Sequence, residues 1–87
     1  MTRISVVIPV YNEEENVEEL YDRLAAVNLE SAEFIFVDDG STDGTVQRLT
    51  QVAARDPRVS IVRFRRNYGQ TAAMAAGIDH SHGDIIV

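Results

Sequence analysis

The chain is 87 residues long, with 45% apolar residues and a formal net charge of −6 at pH 7. A chain of this length buries only about 60% of its unfolded surface, so we predict one folded domain with a small core. The sequence contains no cysteine, which excludes disulfides, cysteine-ligated zinc and thiol catalysis. Its acidic balance argues against binding to the phosphate backbone of a nucleic acid.

The first half of the chain predicts two strands with a helix between them. Residues 4–10 form a continuous β-branched run, which is typical of a strand buried on both faces and is too short to span a bilayer. Apolar residues at helical spacing, with acidic residues in the first turns, predict a helix over residues 13–28. A second short strand over residues 34–37 ends at Asp38.

The second half of the chain continues this alternation. A second helix is predicted before Asp56 and Pro57, followed by a strand over residues 59–64. A third helix is predicted over residues 67–81, with Gly83 as its stop signal, and residues 84–87 begin a fourth strand. The predicted fold is a three-layer α/β/α arrangement around a mainly parallel sheet. Because the chain ends inside an apolar run, we expect it to be the N-terminal piece of a longer protein, truncated at the fourth strand.

Polar segments follow the first three strands, at the edge where open α/β sheets bind ligands. The segment VDDGSTDGT at residues 37–45 places Asp38 and Asp39 at the end of the second strand, where we predict ligand contacts. Its remaining residues predict a helix start capped by Ser41 or Thr42. Thr50 occupies the position where an EF-hand needs a bidentate carboxylate, so calcium is disfavoured. Aspartyl phosphatases and receiver domains need these acids after the first strand and a lysine, which this chain lacks.

The first and third segments supply other groups. Tyr11 and Glu13 could read a base with an aromatic face and a carboxylate, while the glutamates that follow suit the helix dipole. The first turn contains no glycine, which excludes a dinucleotide-binding fingerprint, and there is no Walker A motif. One short basic run contains Arg63, Arg65 and Arg66. It is weak evidence for RNA binding and is more typical of an anion or diphosphate site.

Three ordered motifs carry a family resemblance. The segments VVIPVYNEEENV, VDDGSTDGT and RNYGQTAAMAAGIDHSHGDIIV resemble the start of family 2 glycosyltransferases with the GT-A fold. The last motif looks most like the branch that glycosylates polyprenyl phosphates, including dolichyl-phosphate mannose synthase. The resemblance implies a Rossmann-like half of a GT-A fold. It also implies that eight positions bind the nucleotide sugar: Pro9, Tyr11, Glu13, Val37, Asp38, Asp39, Asn67 and Gly69.

The resemblance further implies what the whole protein does. Such enzymes move a sugar from a nucleotide-diphosphate sugar to an acceptor, here polyprenyl phosphate at the cytoplasmic face of a membrane, with inversion. Their Mg²⁺ or Mn²⁺ is held by an Asp-x-Asp motif expected just after Val87. We therefore expect no catalytic residue and no metal ligand in this chain, and no transfer by it alone. Alternatives are a non-catalytic nucleoside-binding module or a self-associating interaction domain, since the fourth strand and the alanine-rich helix lack cover.

Overall fold

The computed structural model describes residues 3–26, 31–83 and 85–86. Strands and helices alternate along them as the sequence predicts. The elements are β1 (Ile4–Val10), α1 (Val17–Ala26), β2 (Ala32–Asp38), α2 (Thr45–Arg55), β3 (Val59–Arg63), α3 (Gln70–Asp79) and β4 (Ile85–Ile86). The predicted end of the first helix at Asn28 lies outside the described residues, as do the strand positions Asp84 and Val87.

The four strands form one sheet in the order β3-β2-β1-β4, and every described pair is parallel. Val10 lies opposite Asp38, which in turn lies opposite Arg63 on the other side. The first three strands therefore end level with one another. Because all run in the same direction, the loops that leave them share one edge of the sheet, which is the arrangement that the sequence predicts.

Helices cover both faces of the sheet, so the three-layer prediction is confirmed. On one face α1 and α2 pack on Phe34 and Phe36 of β2, and both rings are fully buried. On the other face α3 packs on Ile35 and Val37 of the same strand. A strand with apolar neighbours on both sides needs a continuous apolar run rather than an alternating one, which explains the residue pattern of β2.

Gly77 lets α3 lie close to the sheet. A Cβ atom built on this glycine would stand 2.2 Å from Cγ1 of Val7 and 3.2 Å from Cγ2 of Val37. Glycine makes a helix interior less stable by about 1 kcal/mol than alanine does. At Gly77 the missing side chain lets the helix contact β1 and β2 closely. None of the described helices combines the length and apolar character that a bilayer-spanning helix requires.

The helix starts differ from the sequence prediction. α1 begins at Val17 rather than at Glu13, α2 begins at Thr45 rather than directly after Thr42, and α3 begins at Gln70 rather than at Asn67. In each case the polar residues before the helix hydrogen-bond to a neighbouring loop. Those bonds join residues about 30 positions apart, so helical periodicity within one segment could not reveal them.

Candidate functional site

The β1–α1 loop (residues 11–16) and the β2–α2 loop (residues 39–44) are joined through Asn12. Its backbone N–H donates to Ser41 Oγ at 2.8 Å, and its side-chain Oδ1 accepts from the Thr42 backbone N–H at 2.8 Å. Asn12 has a positive φ of 52°, a left-handed conformation that asparagine tolerates better than most residues. This backbone turn directs the chain towards the second loop instead of into a helix.

The next residues continue this junction. The backbone N–H of Glu13 donates to Thr45 Oγ1 at 2.9 Å, and the Gly44 N–H donates to Glu14 Oε1 at 2.8 Å. Asp43 accepts from the Thr45 backbone N–H at 3.0 Å and from the Thr45 hydroxyl. This hydroxyl bond lowers the pKa of Asp43 more than any other contact. The predicted capping by Ser41 or Thr42 is therefore wrong, because Asp43 bonds the helix start while both hydroxyl residues face the first loop.

Asp38 is fully buried at the end of β2. Its Oδ2 accepts from the backbone N–H of Ser41 at 3.1 Å, while Oδ1 has no hydrogen-bond partner among the residues that the structure describes. Buried polar atoms are nearly always paired with protein, water or ligand, so this oxygen lacks the partner that such an atom normally has. Because side chains alternate along a strand, the Asp38 side chain lies on the same face of the sheet as Phe36, the face that α1 and α2 cover.

Asp39 joins the second loop to the β3–α3 loop (residues 64–69). One carboxylate oxygen accepts from the Tyr68 backbone N–H at 2.7 Å, and the other accepts from the Gly69 N–H at 2.9 Å. The side-chain amide of Asn67 donates to the second oxygen at 3.0 Å. Only 5% of the Asp39 surface is exposed. The two loops are consequently fixed to each other by a single carboxylate.

A cleft of about 280 Å³ opens where these loops meet the end of β1. Its size is near the lower end of the range for small-molecule sites, about 300–1,000 Å³. Tyr11 is 45% exposed at this cleft and offers a ring face to a ligand. Residues from all three loops line it: Pro9, Val10, Tyr11, Asp39, Asn67, Gly69 and Gln70.

A larger cleft of about 460 Å³ lies on the other side of Pro9 and Val10, beside α1. Glu13 lines it, and its carboxylate accepts from the Asn16 side-chain amide at 2.8 Å. Asn16 of the β1–α1 loop also lines this cleft, and the remaining lining residues beyond Pro9 and Val10 belong to α1: Glu19, Leu20 and Arg23. We place the candidate site in the smaller cleft, because only there do polar groups from three strand ends converge.

The structure gathers five of the eight predicted site residues around the smaller cleft: Pro9, Tyr11, Asp39, Asn67 and Gly69. Glu13 lies in the adjoining cleft, Asp38 is buried behind the second loop, and Val37 is buried between the sheet and α3. Direct ligand contact by any of them stays a prediction.

Sequence reasoning missed Val10 and Gln70, which also line the cleft. The sequence feature that could have identified Gln70 as a lining residue is its position directly after Gly69, at the start of α3. The three arginines of the third segment line neither described cleft, and the Arg66 guanidinium stacks over the Tyr68 ring at 5.0 Å.

Asp, Glu and His side chains are the candidate metal ligands of this chain, which has no cysteine. Within residues 3–26 and 31–83, no three Asp, Glu or His side chains lie close enough together to hold a metal ion. The acids of VDDGSTDGT instead accept hydrogen bonds from backbone and side-chain donors of their own loops. The described residues therefore do not form a complete set of side-chain ligands for a metal ion.

Comparison with known proteins identifies the chain's relatives. The model of the family "Glycosyl transferase family 2" matches residues 5–87. The chain belongs to glycosyl transferase family 2. This confirms the resemblance that the three sequence motifs predict.

Among curated family 2 relatives, the chain is 44% identical to the uncharacterized glycosyltransferase YkcC of Bacillus subtilis over 95% of its length. It is 47% identical to the undecaprenyl-phosphate 4-deoxy-4-formamido-L-arabinose transferase of Pseudomonas aeruginosa over 97%. Identity to the dodecaprenyl-phosphate galacturonate synthase of Rhizobium johnstonii is 44% over 95%. The chain spans only 26–27% of the length of these relatives.

Two solved structures resemble the chain closely in fold. The mannosyltransferase PcManGT from Pyrobaculum calidifontis, in complex with GDP-Man and Mn²⁺, matches with a TM-score of 0.90 and 28% identity. That match covers 98% of this chain and 26% of PcManGT. TarS from S. aureus matches with a TM-score of 0.86 and 25% identity, covering 98% of this chain and 16% of TarS. This likeness confirms the predicted Rossmann-like half of a GT-A fold.

Proposed function

We propose that this chain is the nucleotide-binding part of a glycosyltransferase that uses a nucleotide-diphosphate sugar. The observation that carries the proposal is the convergence of three strand-end loops on one cleft, in a chain of family 2. The cleft combines an exposed tyrosine with the side-chain amides of Asn67 and Gln70, which are groups that can stack on a base and hydrogen-bond to a nucleoside. PcManGT, whose structure contains GDP-Man, has the same fold over 98% of this chain.

We propose specific roles for three side chains. In this proposal Tyr11 stacks on the base, which its 45% exposure and its position in the cleft lining support. Asp38 is buried outside the cleft lining, so in this proposal its unpaired Oδ1 acts on the nucleoside only through a bridging water or a shift of the second loop. Glu13 lines the adjoining cleft, and in this proposal its carboxylate accepts a hydrogen bond from the nucleoside.

The acceptor in this proposal is polyprenyl phosphate at the cytoplasmic face of a membrane. The support is the identity of 44–47% to transferases named for undecaprenyl and dodecaprenyl phosphate. In an inverting single displacement, an acceptor phosphate oxygen attacks the anomeric carbon while the bond to the nucleoside diphosphate breaks. Inversion is the stereochemistry that we propose for the whole protein.

We propose Mg²⁺ or Mn²⁺ as the cofactor of the whole protein, since the PcManGT structure contains Mn²⁺. When bound to the donor, such an ion neutralises charge on the leaving diphosphate. The described residues contain no complete ligand set for such an ion, so we assign no metal-dependent step of the reaction to them. The role of this chain is to bind and orient the nucleoside, and we expect it to transfer no sugar alone.

Calorimetric titration of the chain with UDP and with GDP, each with and without Mn²⁺, tests the proposal. We expect saturable 1:1 binding of at least one nucleotide, which Tyr11→Ala weakens. Ile78→Ala is the matched control, because Ile78 is as exposed as Tyr11, at 45%, but does not line the cleft. A folded chain that binds neither nucleotide would refute the proposal, and concentration-dependent self-association in that case would favour the interaction domain.

A second measurement separates an enzyme from a non-catalytic binding module. The full-length protein, supplied with the nucleotide sugar that corresponds to the bound base and with undecaprenyl phosphate, should form a lipid-linked sugar. A full-length protein that binds nucleotide but forms no product across the common sugar donors would favour the non-catalytic module.

A further inference from the structure

The carboxylate of Asp39 accepts hydrogen bonds from other residues of the chain. Three N–H groups donate to it at 2.7–3.0 Å, and all three belong to the consecutive residues Asn67, Tyr68 and Gly69. The Asn67 amide also donates to the main-chain oxygen of Asp39 at 3.2 Å. A carboxylate offers about four acceptor positions, so the β3–α3 loop occupies most of its capacity.

The backbones of the two loops are shaped for this contact. Gly40, next to Asp39, has a φ of +75°, and a Cβ atom there would stand 2.2 Å from the main-chain carbon of Arg66. Gly69 has a φ of +101°, a conformation that side-chain-bearing residues rarely adopt. The positive φ at Gly69 immediately precedes α3, and its N–H points to Asp39. The carboxylate thus stabilises a loop conformation with a weak intrinsic preference.

The contact also orients the groups that remain available in the cleft. With the Asn67 amide nitrogen directed at Asp39, its Oδ1 is left without a protein donor among the described residues. The Gln70 carboxamide, at the first position of α3, likewise has no protein partner in the described part of the chain. Both side chains line the cleft.

We propose that Asp39 is a positioning residue, which holds residues 67–69 against the end of β2 so that Asn67 and Gln70 present the polar groups that a ligand meets. The inference that Asp39 holds residues 67–69 depends only on the hydrogen bonds of the ligand-free structure. The part concerning the ligand rests on the proposed function, since it identifies which side chains read the nucleotide.

Amide hydrogen exchange in the ligand-free chain tests the loop-holding role. Asp39→Asn replaces one acceptor oxygen by a donor that faces other donors. Exchange at the Tyr68 and Gly69 amides should become about 10- to 100-fold faster, the range expected for losing a hydrogen bond to a charged group. Asp79→Asn makes the same chemical change at an exposed site on α3 and should leave both amides unchanged. Unchanged exchange at both amides in Asp39→Asn would overturn the proposal.

A second variant keeps the test decisive if Asp39→Asn fails to fold. Asn67→Ala removes one of the three donors and retains every backbone N–H. Exchange at Gly69 should then accelerate by about three- to tenfold, because a neutral donor is lost and the charged acceptor stays. Protection equal to that of the unsubstituted chain would contradict the proposal.

Nucleotide titration separates positioning from direct contact. If Asp39 positions the loop, Asp39→Asn and Asn67→Ala each weaken binding, and the double variant loses less affinity than the product of the single losses. Reduced affinity with unchanged amide exchange and multiplicative losses would show direct contact and overturn the proposal. Absence of nucleotide binding by the unsubstituted chain would refute the proposed function, while the exchange results would still decide the role of Asp39.

Discussion

Asp56 lies between α2 and β3, at the edge of the sheet opposite the cleft, and it joins both elements to α1. Its carboxylate accepts from the Arg58 guanidinium at 2.8 Å and from the Tyr21 hydroxyl of α1 at 2.8 Å. It is buried, with only 7% of its surface exposed. The Arg58 guanidinium also lies over the Phe34 ring of β2, at 5.0 Å from the ring centroid. The carboxylate therefore ties the connection between α2 and β3 to α1.

We predict that Asp56→Ala lowers the free energy of unfolding by about 2–4 kcal/mol. Removing one member of a buried ion pair costs about 3–5 kcal/mol, and water partly compensates here because the Arg58 side chain is 34% exposed. Asp56→Asn should cost less, since an amide oxygen can still accept from Tyr21 or from Arg58. Urea unfolding followed by far-ultraviolet circular dichroism measures both losses, with the exposed Asp79→Asn as the control.

The pH dependence gives an independent test of the same contact. Hydrogen bonds from the Arg58 side chain are the largest influence on the pKa of Asp56 and hold it well below its usual value of about 4. Because the pKa is lowered in the folded state, the stabilisation is complete above pH 4 and is lost as the pH falls below it. The stability difference between the unsubstituted chain and Asp56→Asn should therefore narrow by about 1.4 kcal/mol per pH unit below pH 4.

Two results would refute this reasoning. A loss below about 0.5 kcal/mol for Asp56→Ala would place the contact among ordinary surface ion pairs, which contribute about 0–1 kcal/mol. A stability difference between the unsubstituted chain and Asp56→Asn that stays constant from pH 7 to pH 3 would show that the carboxylate is not stabilised by folding.

Three further substitutions test the packing, the loop junction and the cleft. Gly77→Ala should destabilise the chain by about 1–2 kcal/mol in thermal unfolding, because the new methyl group meets Val7 and the strain exceeds the gain in helix propensity. Thr45→Val should cost about 1–3 kcal/mol in urea unfolding, because the partly buried Glu13 N–H loses its acceptor on the fully buried Thr45 side chain. Tyr11→Ala should weaken nucleotide binding about 5- to 100-fold in calorimetry, as expected for losing one stacked base, while Tyr11→Phe should retain most of the affinity.

Each of these predictions has a control and a contradicting result. Ala75→Ser changes an exposed position of α3, so a loss equal to that of Gly77→Ala would show a general helix effect. Thr50→Val removes an exposed hydroxyl whose bond lies within α2, and an equal loss there would argue against the loop junction. Equal affinities of the Tyr11→Ala variant and the unsubstituted chain would exclude base stacking on this ring.

The sequence predicts the fold well because each strand and helix is specified by residues close together in the chain. The continuous apolar run of β1 and the helical spacing in α2 each indicate their element without reference to the rest of the chain. The strand-end positions of Asp38 and Asp39 follow from the same pattern. Their separate roles do not, because Asp39 finds its partners 28–30 residues further along the chain.

Helix starts and capping were less predictable for the same physical reason. The run of glutamates after Asn12 suits a helix N-terminus, but the backbone N–H of Glu13 donates to Thr45 at the start of α2 and that of Glu14 donates to Asp43 of the second loop. A hydrogen bond to a distant side chain competes directly with the first turn of a helix, and nothing in the local pattern reveals it. Gln70 was missed because a glutamine at a helix start carries no chemical signal of its own.

The same long-range bonds determine what a ligand would meet. Asn12 joins the first loop to the second, and Asp39 joins the second to the third, so the backbone of the cleft is fixed before any ligand arrives. Immobilising a side chain on binding costs about 0.5–1.5 kcal/mol of conformational entropy. Asn12, Asp39 and Asn67 are already immobilised by hydrogen bonds in the folded chain, so ligand binding does not add this cost for them. Ligand binding should therefore order chiefly Tyr11 and Gln70, whose polar ends have no protein partner among the described residues. If so, weakening either loop junction should lower nucleotide affinity even where the substituted residue never touches the nucleotide.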